Sequence, residues 1–107
     1  MTKSIGSEPR PGHANPCFTE VEGGVVNAMG LPNPGIEEFR AEMDDAVPRG
    51  TIIGSVFGSS AAEFARLAAK MEDYGAKAVE LNLSCPHAKG YGMELGTDPA
   101  MVKEITS

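Results

Sequence analysis

The residues with the most chemistry to offer lie in one short stretch, Glu80-Leu81-Asn82-Leu83-Ser84-Cys85-Pro86-His87, which holds a carboxylate, an amide, a hydroxyl, a thiol and an imidazole. From Val79 to Ser84, apolar and polar residues alternate strictly. Val79, Leu81 and Leu83 therefore share one face of an extended segment, and Glu80, Asn82 and Ser84 share the other. Such alternation found alone commonly marks an antiparallel strand with a wet side. In a parallel sheet covered by helices, the same polar face needs partners inside the protein or at the strand ends, where ligands bind. The loop that follows presents Cys85 and His87 across the rigid Pro86. A thiol with an ordinary pKa of about 8.5 can take or give a proton when a neighbour tunes it, and His87 is one such tuner. On spacing alone, a loop cysteine is more often structural than catalytic.

A second cluster, Gly23-Gly24-Val25-Val26-Asn27-Ala28-Met29-Gly30-Leu31-Pro32-Asn33, combines glycines with two amides. Glycine lets backbone approach a planar ligand, and an Asn side chain can donate and accept along an amide edge. A plain turn followed by a helix cap explains Asn33 equally well, but does not account for Asn27.

The elements that must hold these groups can be read from the pattern. Met1 to Pro34 is crowded with Gly and Pro, so regular structure there is expected to be short and the segment to be a functional loop. Asn33 as N-cap and Pro34 at the first position open a helix predicted to run to Ala46 and to stop before Pro48, with Ile36, Phe39 and Met43 on one face. Thr51 to Phe57 is a β-branched apolar run, predicted to be a strand covered on both faces. Ser60 and Glu63 form a capping box, followed by Phe64, Leu67, Ala68 and Met71 at helical spacing up to Gly75. Ala78 to Leu83 is the next strand, giving a parallel βαβ unit. Asp98-Pro99 opens a last helix that reaches Ser107 without a stop signal, so the chain is expected to be cut within it.

Composition bounds the answer further. The 107 residues suit one small domain, with 41% apolar and 22% charged residues and no Trp. The net charge of -6 and the scattered nine Lys and Arg exclude a phosphate-tracking stripe, so nucleic acid is not an expected partner. No apolar run approaches the roughly 20 residues of a membrane span, and the N-terminus lacks a signal-peptide core, which leads us to expect a cytoplasmic protein without membrane contact. Two cysteines are too few for a disulfide scaffold. A zinc site from His13, Cys17, Cys85 and His87 is a rival reading that the spacing disfavours.

Thr2-Lys3-Ser4-Ile5, Asn27-Ala28-Met29-Gly30-Leu31-Pro32-Asn33 and Glu80-Leu81-Asn82-Leu83-Ser84-Cys85-Pro86, in that order and spacing, resemble the class 1 dihydroorotate dehydrogenases, a family of FMN-dependent (β/α)8 barrels. The resemblance implies oxidation of dihydroorotate to orotate in pyrimidine biosynthesis, with FMN as cofactor and Cys85 as the base. It implies that Lys3 lies beside flavin and substrate, that Asn27, Asn82, Ser84 and His87 contact the pyrimidine, that Asn82 also meets the flavin, and that backbone near Met29, Gly30 and Leu31 lines the pocket. A homodimer and an iron-sulfur electron-transfer subunit are the partners it suggests. His87 stands where dihydroorotate dehydrogenases commonly have Asn. Cys-Pro-His is similar to the pyrimidine-reducing barrel of dihydropyrimidine dehydrogenase, which leaves that substrate as an alternative. A full barrel needs about 250 residues, so residues 1–107 are expected to be one piece of a catalytic barrel with no second domain. The phosphate-holding Gly-rich loops and a further flavin-contacting lysine lie outside the matched motifs. The piece alone is therefore expected to bind FMN weakly or not at all, and an inactive remnant is a further alternative.

Overall fold

The computed structural model describes residues 1–86 and 90–107. His87 falls outside the described residues. Ten short elements follow one another. They are β1 Ser4–Ile5, β2 Phe18–Val21, β3 Gly24–Asn27, α1 Ile36–Ala46, a 3-10 turn Val47–Arg49, β4 Ile53–Val56, α2 Ala61–Asp73, β5 Ala78–Leu81, α3 Met93–Gly96 and α4 Pro99–Thr106. β1, β4 and β5 form one sheet in that order, and both pairings are parallel. The chain is thus mixed α/β with a parallel sheet, and the β4-α2-β5 unit is the one expected from the sequence.

The register gives the sheet two unlike faces. Ile5, Val56 and Leu81 stand in one row, while Ser4, Ser55 and Glu80 stand in the row beside it and point the other way. The apolar row packs with Ile36, Phe39 and Met43 of α1, Phe64, Leu67 and Met71 of α2 and Ile105 of α4 to make the core. Most of these side chains are fully enclosed, each contributing about 1.5–3 kcal/mol by leaving water. Val79, Leu81 and Leu83 lean on that core from β5 and the residues after it, as the alternation predicts. β4 is not covered along its whole length: Ile53 is 41% exposed, while Gly54, Ser55 and Val56 are buried.

Two local expectations need correction. Asn33 does not cap α1, whose N-cap is Gly35 with no side-chain bond. The Asn33 side-chain oxygen instead accepts from Gly35 N at 2.9 Å and from Gly6 N at 3.2 Å, tying the end of β1 to the start of α1. As expected, α1 ends at Ala46, before Pro48, which sits in the 3-10 turn that follows, where a missing N–H costs nothing. In the Ser60 capping box, Ser60 Oγ does accept from Glu63 N at 3.3 Å, but the Glu63 carboxylate reaches Ser59 and Ser7 rather than the Ser60 backbone.

The segment expected to be a loop holds a hairpin. β2 and β3 pair antiparallel from Phe18↔Asn27 to Val21↔Gly24, joined by Glu22-Gly23 with Gly23 at φ 82. Its apolar residues Phe18, Val25 and Val26 are exposed. Among the described residues, no helix is long and apolar enough to cross a membrane.

Candidate functional site

Lys3, Asn27, Met29, Gly30, Leu31 and Cys85 line one open cleft of about 480 Å³, together with Ser4, Pro32 and Pro86. Three stretches far apart in sequence supply its walls: the start of β1, the loop after β3 and the turn after β5. Folding brings each of them there for a local reason.

The loop after β3 is held by its own backbone. Ala28 N donates to Cys17 O at 2.8 Å, His13 N to Met29 O at 2.9 Å, and Arg10 and Asn33 exchange bonds of 2.9 and 3.0 Å. The His13 ring completes the seam. Its Nδ1 lies 2.8 Å from Ala28 O, and since a carbonyl only accepts, Nδ1 carries the proton of that bond. The ring lies so close over Gly30 that a Cβ there would come within 2.8 Å of it. Gly30 at φ 76 is followed by Leu31 at φ 57, a left-handed conformation that costs a branched side chain about 1–2 kcal/mol. Asn33 supports this strained residue by donating from Nδ2 to Leu31 O at 2.9 Å. Non-glycine residues held in this region cluster at ligand sites.

The Cys85 segment is clamped from behind. Asn82 N donates to Val56 O at 2.8 Å, prolonging the β4–β5 ladder, and Met93 N donates to Cys85 O at 3.0 Å. Gly92 sits against Cys85, where a Cβ would lie 2.4 Å from Cys85 O. The thiol is half-buried and free.

Lys3 is exposed at the cleft and takes part in no ion pair among the described residues. Asn82 and Ser84 do not line the cleft directly. Asn82 Nδ2 donates to Ser4 Oγ at 2.8 Å, which does line it, while Ser84 N and Oγ lie 3.1 and 3.3 Å from Asn82 Oδ1. Ser4, Ser55, Pro32 and Pro86 were not singled out from the sequence. The polar face that carries Glu80 and Asn82 was the available signal for the two serines, because partners across a sheet must be polar too.

Of the four residues a zinc site would need, His13 is bonded to Ala28 O, and Cys17 Sγ donates to Asn15 Oδ1 at 3.2 Å and touches Met29 Sδ at 3.4 Å. Among the described residues, no group of three or more His, Cys, Asp or Glu is arranged to hold a metal ion. Behind β1, Glu63 joins the loop after β4 to the loop after β1. Burial alone pushes its carboxyl upward, but bonds from Ser7 Oγ, Ser59 N and Ser59 Oγ, with the Arg66 charge nearby, outweigh that and hold it below the ordinary 4.5.

A parallel α/β sheet with a thiol, a cation and amide groups gathered past a strand end has the layout of ligand-binding α/β proteins. Comparison with known proteins gives that layout a family. The dihydroorotate dehydrogenase family model matches residues 1–107. The chain is 54% identical over 107 residues to the "Dihydroorotate dehydrogenase B (NAD(+)), catalytic subunit" of Methanocella arvoryzae, covering 99% of this chain and 35% of that protein. It is 56% identical over 105 residues to the protein of the same name from Pyrococcus horikoshii, covering 98% of this chain and 34% of the relative. Against the one from Thermoplasma volcanium it is 50% identical over 108 residues, covering 100% and 36%. The chain belongs to the dihydroorotate dehydrogenase family. It spans about a third of the length of these relatives.

The residues present fit part of a flavin mononucleotide. A flat ring with carbonyl and N–H edges suits a cleft that offers backbone at Gly30 and Leu31, the Lys3 cation, the Ser4 hydroxyl and the Asn27 amide. No G-x-G-x-x-G run occurs in the sequence to cradle the phosphate.

Proposed function

We propose that the intact protein containing this chain is the catalytic subunit of a cytoplasmic, FMN-dependent dihydroorotate dehydrogenase, and that residues 1–107 are one part of its (β/α)8 catalytic barrel. The observation that carries this reading is the cleft that gathers Lys3, Asn27 and Cys85 from three distant stretches, in a chain of this family. The reaction is a two-electron oxidation in which one substrate carbon gives up a hydride and its neighbour gives up a proton. FMN supplies the hydride-accepting ring.

Every other part falls to side chains of this chain and the rest of the barrel. Cys85, as thiolate, takes the proton from the substrate carbon and is left as thiol. Lys3 stabilises the negative charge of orotate and of the reduced ring system beside it. Asn27 and Asn82 bind the amide edges of the pyrimidine, with Ser84 steadying Asn82 and His87 completing the contacts. The backbone of Met29, Gly30 and Leu31 forms the wall against which the ring lies. The relatives are named as catalytic subunits and as NAD(+) enzymes. By extension, this protein passes its electrons to NAD through an iron-sulfur electron-transfer subunit, and its catalytic subunits pair as a homodimer.

The test is single-turnover reduction of the FMN-loaded intact protein by dihydroorotate. Cys85→Ala is expected to keep flavin and orotate binding and to lose a factor of about 10²–10⁴ in reduction rate. An unchanged rate removes Cys85 as the base.

A further inference from the structure

Across the sheet, Ser4, Ser55 and Glu80 stand in register on the face away from the core. Ser55 Oγ donates to Glu80 Oε1 at 2.8 Å, Ser4 Oγ lies 2.9 Å from Ser55 Oγ, and Asn82 Nδ2 donates to Ser4 Oγ at 2.8 Å. The row ends at Asn82 Oδ1, which faces Ser84 N and Oγ.

Only one arrangement of protons satisfies this row. An ionised carboxylate has no hydrogen to give, so Ser55, which is 1% exposed, must donate to Glu80. A hydroxyl has a single hydrogen, so Ser55 Oγ can only accept from Ser4, and Ser4 Oγ can then only accept from Asn82. Ser4 is left with one free lone pair, and Asn82 with one free N–H. Ser4 lines the cleft and Asn82 stands one bond behind it, so the group of this row that a ligand meets is an acceptor.

We propose that Glu80 is a positioning residue: through Ser55 its carboxylate fixes Ser4 as an acceptor, so that the cleft selects a ligand edge that presents an N–H, as an imide does. Without that terminal acceptor, the Ser55 hydrogen is free to turn toward Ser4, whose own hydrogen can then turn into the cleft and make Ser4 a donor there, while Asn82 Nδ2 donates to Ser4 in either case. Glu80 itself is exposed, so its effect lies in this direction-setting rather than in the energy of a charged contact. The inference rests on the proposed function. A dioxopyrimidine and the pyrimidine ring of a flavin both present such an edge, and the two sources can be told apart by experiment.

The experiment uses the intact protein with Glu80→Met, which removes the acceptor, Ser55→Ala, which cuts the row, their double variant, and Glu80→Gln, which keeps an acceptor oxygen. FMN dissociation is measured on apoprotein by fluorescence, and orotate dissociation on the FMN-loaded protein by the change in flavin absorbance. Glu80→Met and Ser55→Ala are each expected to weaken binding about tenfold, the double variant no further, and Glu80→Gln less than threefold. A loss in the FMN arm assigns the edge to the flavin, and a loss in the orotate arm assigns it to the substrate. Affinities unchanged in both arms, or losses that multiply in the double variant, overturn the proposal while the proposed function stands. A wild-type protein that binds neither ligand overturns both.

Discussion

Alanine substitution at Gly92 should damage the site through backbone alone. Gly92 has φ 56 and ψ -119, a combination open to glycine and strained for any residue with a Cβ. A Cβ there would lie 2.4 Å from Cys85 O, 2.7 Å from Cys85 N and 2.8 Å from Cys85 Cβ. Main-chain atoms cannot rotate aside, so either Gly92 or Cys85 must move. The strained dihedral costs about 1–2 kcal/mol and the overpacking about 1–3 kcal/mol, together about 2–5 kcal/mol. Gly90 supplies the control: its φ is 79, but a Cβ there meets nothing within 4 Å among the described residues. Gly90→Ala should therefore lose only the dihedral part. Urea denaturation of the intact protein measures the stabilities, and single-turnover flavin reduction reports on the site. Because Gly92→Ala displaces the proposed base, its reduction rate should fall about 100-fold, the effect of a shift of about 1 Å. The rate for Gly90→Ala should stay near that of wild type. Equal effects of the two substitutions on stability and rate would refute the claim that Gly92 sets the place of Cys85.

Leu31→Ile keeps the atoms of the side chain but puts a β-branch at φ 57, so it should cost about 1–3 kcal/mol in stability and weaken orotate binding in a titration; full retention of both would show that the loop relaxes freely. Leu67→Ala, at a fully buried position of α2, should cost about 2–5 kcal/mol by denaturant titration without altering ligand affinity beyond the loss of folded protein. Glu63 has a carboxyl held below 4.5 in the folded state, so its contribution is present above pH 4.5 and is lost as the pH falls through the lowered value. Stability measured from pH 6 to pH 2.5 should therefore fall less steeply at its acid end in Glu63→Gln than in wild type, and parallel curves would contradict the assignment.

What could be read from the sequence was what is encoded locally. The β4-α2-β5 unit announces itself through a β-branched run, a Ser60 cap and alternation from Val79 to Ser84, each a property of neighbouring residues. β1 does not. Two residues long, it exists because Ser4 and Ile5 pair with Ser55 and Val56, some fifty positions away. The hairpin was hidden for another reason: its strands lie in a stretch rich in Gly and Pro and bury none of their residues, so hydrophobic patterning carried little signal. Asn33 reads as a cap because a cap and a tether need the same side chain, and only the fold reveals that its second partner is Gly6. In the cleft, Cys85, Asn27 and Lys3 could be named from motifs, but Ser4 and Ser55 gain their roles from strand register, which no single stretch of sequence contains.

The shared cleft of Lys3, Asn27 and Cys85 is most directly tested by alkylating the FMN-loaded intact protein with iodoacetamide and following Cys85 and Cys17 separately by mass spectrometry. Both thiols are half-buried, but Cys85 lines this cleft and Cys17 an adjoining hollow with Phe18 and Val26. Saturating orotate should shield Cys85 and leave the modification rate of Cys17 unchanged. Equal rates at Cys85 with and without orotate would contradict the account.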